Sequence, residues 1–306
     1  MQTRSIGSLR ASIVGLGCNN FGRRIDAAAS AAVVHAALDA GITFFDTADI
    51  YGNGQSEEFL GRALGPRRKD IVLATKFGMD EHRRGAKPEN VRRCLEDSLR
   101  RLGTDRIDLY QLHQPDPETP IADTLEALDR LVKAGRVREI GCSNFSVDQL
   151  RAAERAARTP AARFVSVQNE YSLLHRDPER GVLAECERQR LAFIPYFPLA
   201  SGLLTGKYRK GKAAPQGTRL SEGARAKDLL TDRNLDVVEK LIEFATSRWH
   251  TLLELAVSWL LARKPVATVI CGATKPEQAR ANAAAGGWKL TEAELAEIDS
   301  IVHQPA

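Results

Sequence analysis

Residues 15–20 read GLGCNN, and the meaning given to this stretch decides the fold. It closes an apolar run, SIVGLGC (12–18). It also begins like the G-x-G-x-x-G turn that cradles a dinucleotide pyrophosphate at the head of an open, doubly wound sheet. Two features count against that reading. The third glycine position is Asn20, and no strand with a terminal acidic residue follows at the right distance, because Asp39 sits inside a helical pattern. Gly15 and Gly17 are therefore read as small residues of a barrel strand.

Outward from this stretch one pattern repeats. Seven further apolar runs follow: TFFDTA (43–48), DIVLATKF (70–77), IDLYQLH (107–113), VREIGCSN (137–144), FVSVQNEY (164–171), AFIPYFPL (192–199) and VATVICGA (266–273). Amphipathic segments lie between them. Val91, Leu95, Leu99 and Leu102 share one helical face, as do Leu125, Leu128, Leu131 and Val132. Ser146 is a good N-cap for SVDQLRAAERAA, and Pro276 stands near the start of KPEQARANAAA, where proline is tolerated. Thr291 and Glu294 form a capping box before a last helix at about 291–302. Alternating strands and helices make a parallel sheet, and eight such units in 306 residues suggest a closed one. The expected fold is an α/β (β/α)8 TIM barrel, one domain over residues 1–306.

Composition, at 43% hydrophobic and 27% charged, is that of a soluble globular chain. No apolar run approaches a membrane span, and MQTRSIGSLRASIVGLG (1–17) has no signal-peptide core. A cytoplasmic protein without a membrane role is expected. The five cysteines are far apart and form no CxxC pair, so buried free thiols are expected rather than disulfides or a metal site. Net charge is +5, but Leu203–Lys227 alone holds seven Lys/Arg and one Glu. The rest of the chain is thus nearly neutral. A basic, flexible segment is expected at about 203–233. Tyr208 is its only aromatic residue up to Lys227, which argues against a nucleic-acid partner and for a loop beside a phosphate-bearing ligand. Whether it folds over that ligand as a clasp or stays mobile is left open by the sequence.

In a barrel, chemistry gathers at the C-terminal ends of the strands. Those ends carry Asp46, Tyr51, Lys76, His113, Ser143, Asn144, Gln168, Asn169 and Tyr196. Tyrosine alone is a poor acid near neutrality, with a pKa of about 10. A lysine ammonium beside its oxygen favours the phenolate, and an aspartate keeps the lysine charged and oriented. A histidine can donate to an oxygen lying between them. Such a set suits carbonyl reduction, in which oxygen acquires charge as hydride reaches carbon.

Asp46, Tyr51, Lys76 and His113 resemble the catalytic tetrad of the aldo-keto reductases. The surrounding motifs DTADIYG, ATKFG, DLYQLHQPD, GCSNFS, QNEYSLL, PLASGLLTGKY and GATKPEQARAN are similar too, in the family's order, from Gly15 to Asn282. The resemblance implies reduction of an aldehyde or ketone by NADPH, with Tyr51 as general acid and a small carbonyl compound as substrate. Asp49 is read as a residue that caps the turn or bonds locally. By the same resemblance Ser143, Asn144 and Gln168 hold the nicotinamide carboxamide, and Tyr196 stacks on its ring. Pro198, Leu199, Ser201, Gly202, Leu204 and Lys207 clamp the pyrophosphate. Gly272, Thr274, Lys275, Gln278, Arg280 and Asn282 surround the adenosine end, with Thr274, Lys275 and Arg280 toward a 2′-phosphate and Gln278 and Asn282 toward the adenine. Phe197, Cys271 and Gln114 depart from common family residues, and Gln114 weakens any borrowed substrate. The alternative is a cofactor-binding regulatory protein like the potassium-channel β subunits. The absence of a long N-terminal extension counts against it.

Overall fold

The computed structural model describes residues 1–80, 84–157, 160–222 and 224–303. Residues 81–83, 158, 159, 223 and 304–306, which fall within the single-domain reading of 1–306, lie outside the described residues. The chain opens with an antiparallel hairpin, β1 (Thr3–Ile6) and β2 (Leu9–Ser12), that turns at Gly7. Eight parallel strands follow: β3 (Val14–Gly17), β4 (Phe44–Asp46), β5 (Val72–Phe77), β6 (Ile107–Leu112), β7 (Val137–Ser143), β8 (Phe164–Glu170), β9 (Ala192–Tyr196) and β10 (Val269–Gly272). Their spatial order is β10-β3-β4-β5-β6-β7-β8-β9. Main-chain bonds from Phe193 N to Pro265 O (2.7 Å) and from Ala267 N to Phe193 O (3.0 Å) bring the last strand back against β9. The sheet is a nearly closed TIM barrel, and each expected apolar run supplies one strand.

The strands alternate between two cores. Outward residues such as Val14, Leu16, Leu73 and Tyr110 meet the surrounding helices. Inward residues form a second cluster that includes Phe44, Val72, Ala74, Leu109, Ala192 and Ile270, closed at one end by Ile6, Leu9 and Ala11 of the hairpin. Side chains two apart along a strand share a face, so the same alternation carries Phe44 to Asp46, Ala74 to Lys76, and Leu109 to Gln111. The barrel is apolar at its base and polar at its mouth.

Gly15 belongs to the inward set. A Cβ there would lie 2.8 Å from Phe44 Cδ1 and 3.1 Å from Thr268 Oγ1. It therefore makes room for a ring rather than for a pyrophosphate. Gly15→Ala is expected to destabilise the fold by about 1–3 kcal/mol, the usual cost of overpacking, seen as a lower urea midpoint. An unchanged midpoint would show that the interior yields freely at this point.

The helices form where capping and periodicity place them. Helix Pro88–Leu102 buries Val91, Leu95, Leu99 and Leu102. Helix Val147–Ala156 starts with a reciprocal Ser146–Gln149 capping box. Thr291 and Glu294 bond reciprocally ahead of helix Glu292–His303. The basic segment is tied down at several points. Tyr208 and Leu220 are buried, Arg209 and Lys210 pair with Glu239 and Asp236, and Arg24 donates to Gly217 O (2.9 Å). No helix among the described residues is long and apolar enough to cross a membrane.

Candidate active site

Asp46 ends β4, Lys76 lies near the end of β5, and His113 follows β6. Tyr51 opens a single 3-10 turn, Tyr51–Gly54, just beyond β4. Gly52 sits in the left-handed region (φ +56°), and a Cβ there would lie 2.7 Å from Phe21 O. Only glycine lets the turn come this close, and the turn aims Tyr51 over the mouth.

All four side chains meet. Lys76 Nζ donates to Asp46 Oδ2 at 2.6 Å and to Thr47 O at 2.9 Å, and reaches Tyr51 Oη at 3.5 Å. The Tyr51 and His113 rings meet edge to face at 5.9 Å. Asp46, Lys76 and His113 are all buried. Burial alone would favour a neutral Lys76, but Asp46 and Tyr51 outweigh it and hold the ammonium above its ordinary pKa. Tyr51 differs from the expectation of a lowered phenol. Burial pushes it above its usual value, and Lys76 only partly pulls it back. For His113, burial and then Lys76 lower the pKa to about 3. The imidazole is therefore neutral near pH 7 and carries one N–H to donate.

The remaining mouth residues interlock. Asp46 Oδ1 accepts from Gln111 Nε2 (3.2 Å) and Gln168 Nε2 (3.0 Å). Ser143 Oγ donates to Gln168 O (2.7 Å). Asn144, exposed and at φ +62°, donates through Nδ2 to His113 O (2.9 Å) and accepts at Oδ1 from Tyr196 Oη (2.8 Å). Asn169 Nδ2 donates to Phe145 O.

Beyond Tyr196 the chain enters an irregular loop. Phe197, Ala200 and Ser201 all have positive φ, and Gly202 follows at +96°. Strained backbone of this kind clusters at ligand clamps. Pro198, Leu199 and Leu204 belong to this loop, and Lys207 Nζ lies close to Gly202, 2.8 Å from where a Cβ would stand. Beyond β10, Lys275 is exposed and free of side-chain partners among the described residues, while Arg280 is only loosely paired with Glu277 (4.0 Å). Gln278 Oε1 accepts from Thr274 N (2.8 Å), and buried Asn282 donates to Gly272 O. Arg219 donates to Asn20 Oδ1 (2.6 Å), and Asn20 Nδ2 donates to Ala273 O (3.1 Å). Burial lowers the Arg219 pKa, and the neighbouring charges that add to this are Arg24, Arg23 and Arg225.

A sequence profile of the Aldo/keto reductase family matches residues 13–303. The chain belongs to this family. The Schizosaccharomyces pombe aldo-keto reductase yakc, whose name specifies NADP(+), is 35% identical over 97% of this chain and 90% of its own length. A probable voltage-gated potassium channel subunit beta of Oryza sativa is 34% identical over 91% of this chain and 89% of its own. Among solved structures, the glycerol dehydrogenase AKR11B4 of Gluconobacter oxydans superposes with a TM-score of 0.85 at 32% identity, covering 98% of this chain and 95% of that one. By family the protein is an oxidoreductase.

Three features of this aldo/keto reductase escape the sequence reading. Gln111 supports Asp46 from the strand position two before His113, and that spacing is the signal that could have found it. Asn20, which breaks the glycine fingerprint, instead bridges the ends of β3 and β10 and receives Arg219. Asp49 does not cap the turn. Its carboxylate lies near the Ile50 amide without a well-formed bond, and burial together with Glu57 raises its pKa to about 7.

Proposed function

We infer that the protein reduces an aldehyde or ketone to an alcohol with NADPH. It acts in the cytoplasm on a small carbonyl compound and needs neither nucleic acid nor membrane. The observation that carries this reading is the buried Asp46–Lys76–Tyr51 contact beside a neutral His113 at the barrel mouth. Bound NADPH supplies the hydride. Tyr51 gives its proton to the carbonyl oxygen, and Lys76 stabilises the phenolate left behind. Asp46, held by Gln111 and Gln168, keeps Lys76 in place. His113 donates a second hydrogen bond to the same oxygen.

The chemistry of these residues fits the cofactor. Ser143, Asn144 and Gln168 offer hydroxyl and amide groups of the kind a carboxamide pairs with, and Tyr196 offers a ring face. Ser201, Gly202 and Lys207 would hold the pyrophosphate under the positive field of Arg219. Gln278 and Asn282 would take the adenine, and Thr274, Lys275 and Arg280 would hold a 2′-phosphate at the start of helix Pro276–Ala284. The test is a screen of carbonyl compounds that follows NADPH absorbance. Lys275→Ala is expected to weaken NADPH about tenfold and leave NADH nearly unchanged. That is the lower end for a charged hydrogen bond, because Lys275 is exposed. Equal losses for both cofactors would remove Lys275 from 2′-phosphate recognition. The rice relative's name favours a second reading, a cofactor-binding regulatory protein, and absence of turnover with any simple aldehyde would support it.

A further inference from the structure

One buried carboxyl beside the tetrad takes no part in the chemistry above. Asp49 lies between β4 and the Tyr51–Gly54 turn, and its N–H donates to Lys76 O (3.2 Å). It is only 6% exposed, and neither side-chain oxygen has a hydrogen-bond partner among the described residues. A buried carboxylate without donors is unfavourable, and keeping a proton relieves it.

The groups that face Asp49 among the described residues come from several elements. Glu57, on helix Gln55–Leu64, is fully buried. It accepts at Oε1 from Thr75 Oγ1 (2.6 Å) and at Oε2 from Arg101 Nε (2.6 Å). Arg101 comes from helix Pro88–Leu102, and Asp80 follows β5. Glu57 and Asp80 oppose an Asp49 charge and Arg101 favours it, but burial is the strongest influence and brings the pKa up to about 7. Tyr110 of β6 and Cys94 belong to the same cluster, and the Tyr110 hydroxyl donates to Val91 O (3.2 Å). With Asp49 neutral, Glu57 and Arg101 balance each other. With Asp49 ionised, two buried carboxylates compete for the same guanidinium.

That guanidinium also supports the turn that aims Tyr51. A Cβ on Gly54 (φ +88°) would lie 2.9 Å from Arg101 Cδ. Gly52, in the same turn, packs against Phe21 O, and Asn53 between them holds φ +54°. The turn therefore has little slack, and an Arg101 drawn from Glu57 toward Asp49 moves beneath Gly54.

We propose that Asp49 is a positioning residue that keeps the Tyr51 turn in its productive place while it holds a proton, and that its ionisation displaces the turn through Arg101. The effect on rate rests on the reductase reading above; the effect on stability does not. Tyr51 titrates above its ordinary value and His113 near 3, so a step in kcat between pH 6 and 8 separates Asp49 from both. A group with a pKa of about 7 is about nine-tenths protonated at pH 6 and about nine-tenths ionised at pH 8. Wild-type kcat should fall by up to about tenfold over that range. Asp49→Asn keeps the shape and cannot ionise, so it should erase the step and leave NADPH affinity at each pH as in the wild type. Glu57→Gln removes the opposing charge and frees Arg101. It should move the step to lower pH, and it carries the test if the Asp49 variant does not fold.

Urea unfolding reads the same group without turnover. An acid whose pKa folding raises weakens the fold as pH climbs from its unfolded value of about 4 to its folded value of about 7. Asp49→Asn should therefore raise the urea midpoint more at pH 8 than at pH 5. A step that persists in Asp49→Asn, a wild-type profile flat from pH 6 to 8, or a midpoint change equal at both pH values would overturn the proposal. A wild-type enzyme that reduces no carbonyl at all would instead overturn the reductase reading, and the midpoint comparison would then decide whether Asp49 is the titrating group.

Discussion

Tyr51→Phe is expected to lower carbonyl reduction by roughly 10²–10⁴-fold, the loss typical of a removed acid–base group. The substitution is conservative in shape. Phenylalanine keeps the edge-to-face contact with His113 and the ring face that Lys76 Nζ approaches at 5.1 Å. Only the hydroxyl is lost, and with it the proton. NADPH affinity, measured by fluorescence titration, should therefore stay close to wild type. Turnover near the wild-type rate would remove Tyr51 from the mechanism.

Lys76→Met should affect both rate and stability. Lys76 is the group that pulls the Tyr51 phenol down against burial. Without it, the apparent pKa of the acidic group in the pH–rate profile should rise and the reaction should slow. The same change leaves the buried Asp46 carboxyl without its lysine partner, held among the described residues by the side-chain amides of Gln111 and Gln168. Breaking a buried pair from one side costs about 3–5 kcal/mol. Adding Asp46→Asn should recover much of that stability without recovering activity. A slow single variant with an unmoved pH profile would reduce Lys76 to structural support.

The barrel was readable because its determinants are local. Each strand is a short apolar run, and each helix brings its own cap or stripe. The Gly7–Ser8 hairpin turn between β1 and β2 is equally local, but the strands it joins are only four residues each and carry little pattern. The four tetrad residues stood out because strand ends gather them. What the sequence withheld is long-range. The partners of Asp46 include Gln168, 122 positions away, and the Arg219–Asn20 bond spans 199. The state of Asp49 depends on Glu57 and Arg101, which belong to two different helices. The pKa of Tyr51 reversed direction for a similar reason. The lysine beside it was foreseeable, but the depth of burial around it was not.

The hairpin at the base of the barrel bears on how the enzyme resets. Ile6, Leu9 and Ala11 are buried with Phe44, Val72 and Leu109, so the layer of Asp46 and Lys76 rests on a largely apolar column. A column of this kind offers few polar partners to a file of water rising toward Lys76. In the proposed reaction a phenolate left on Tyr51 would then be reprotonated through the mouth, where the carbonyl compound would enter and the alcohol would leave. Exit of product and return of the proton share one doorway, and a slow-leaving alcohol would delay both.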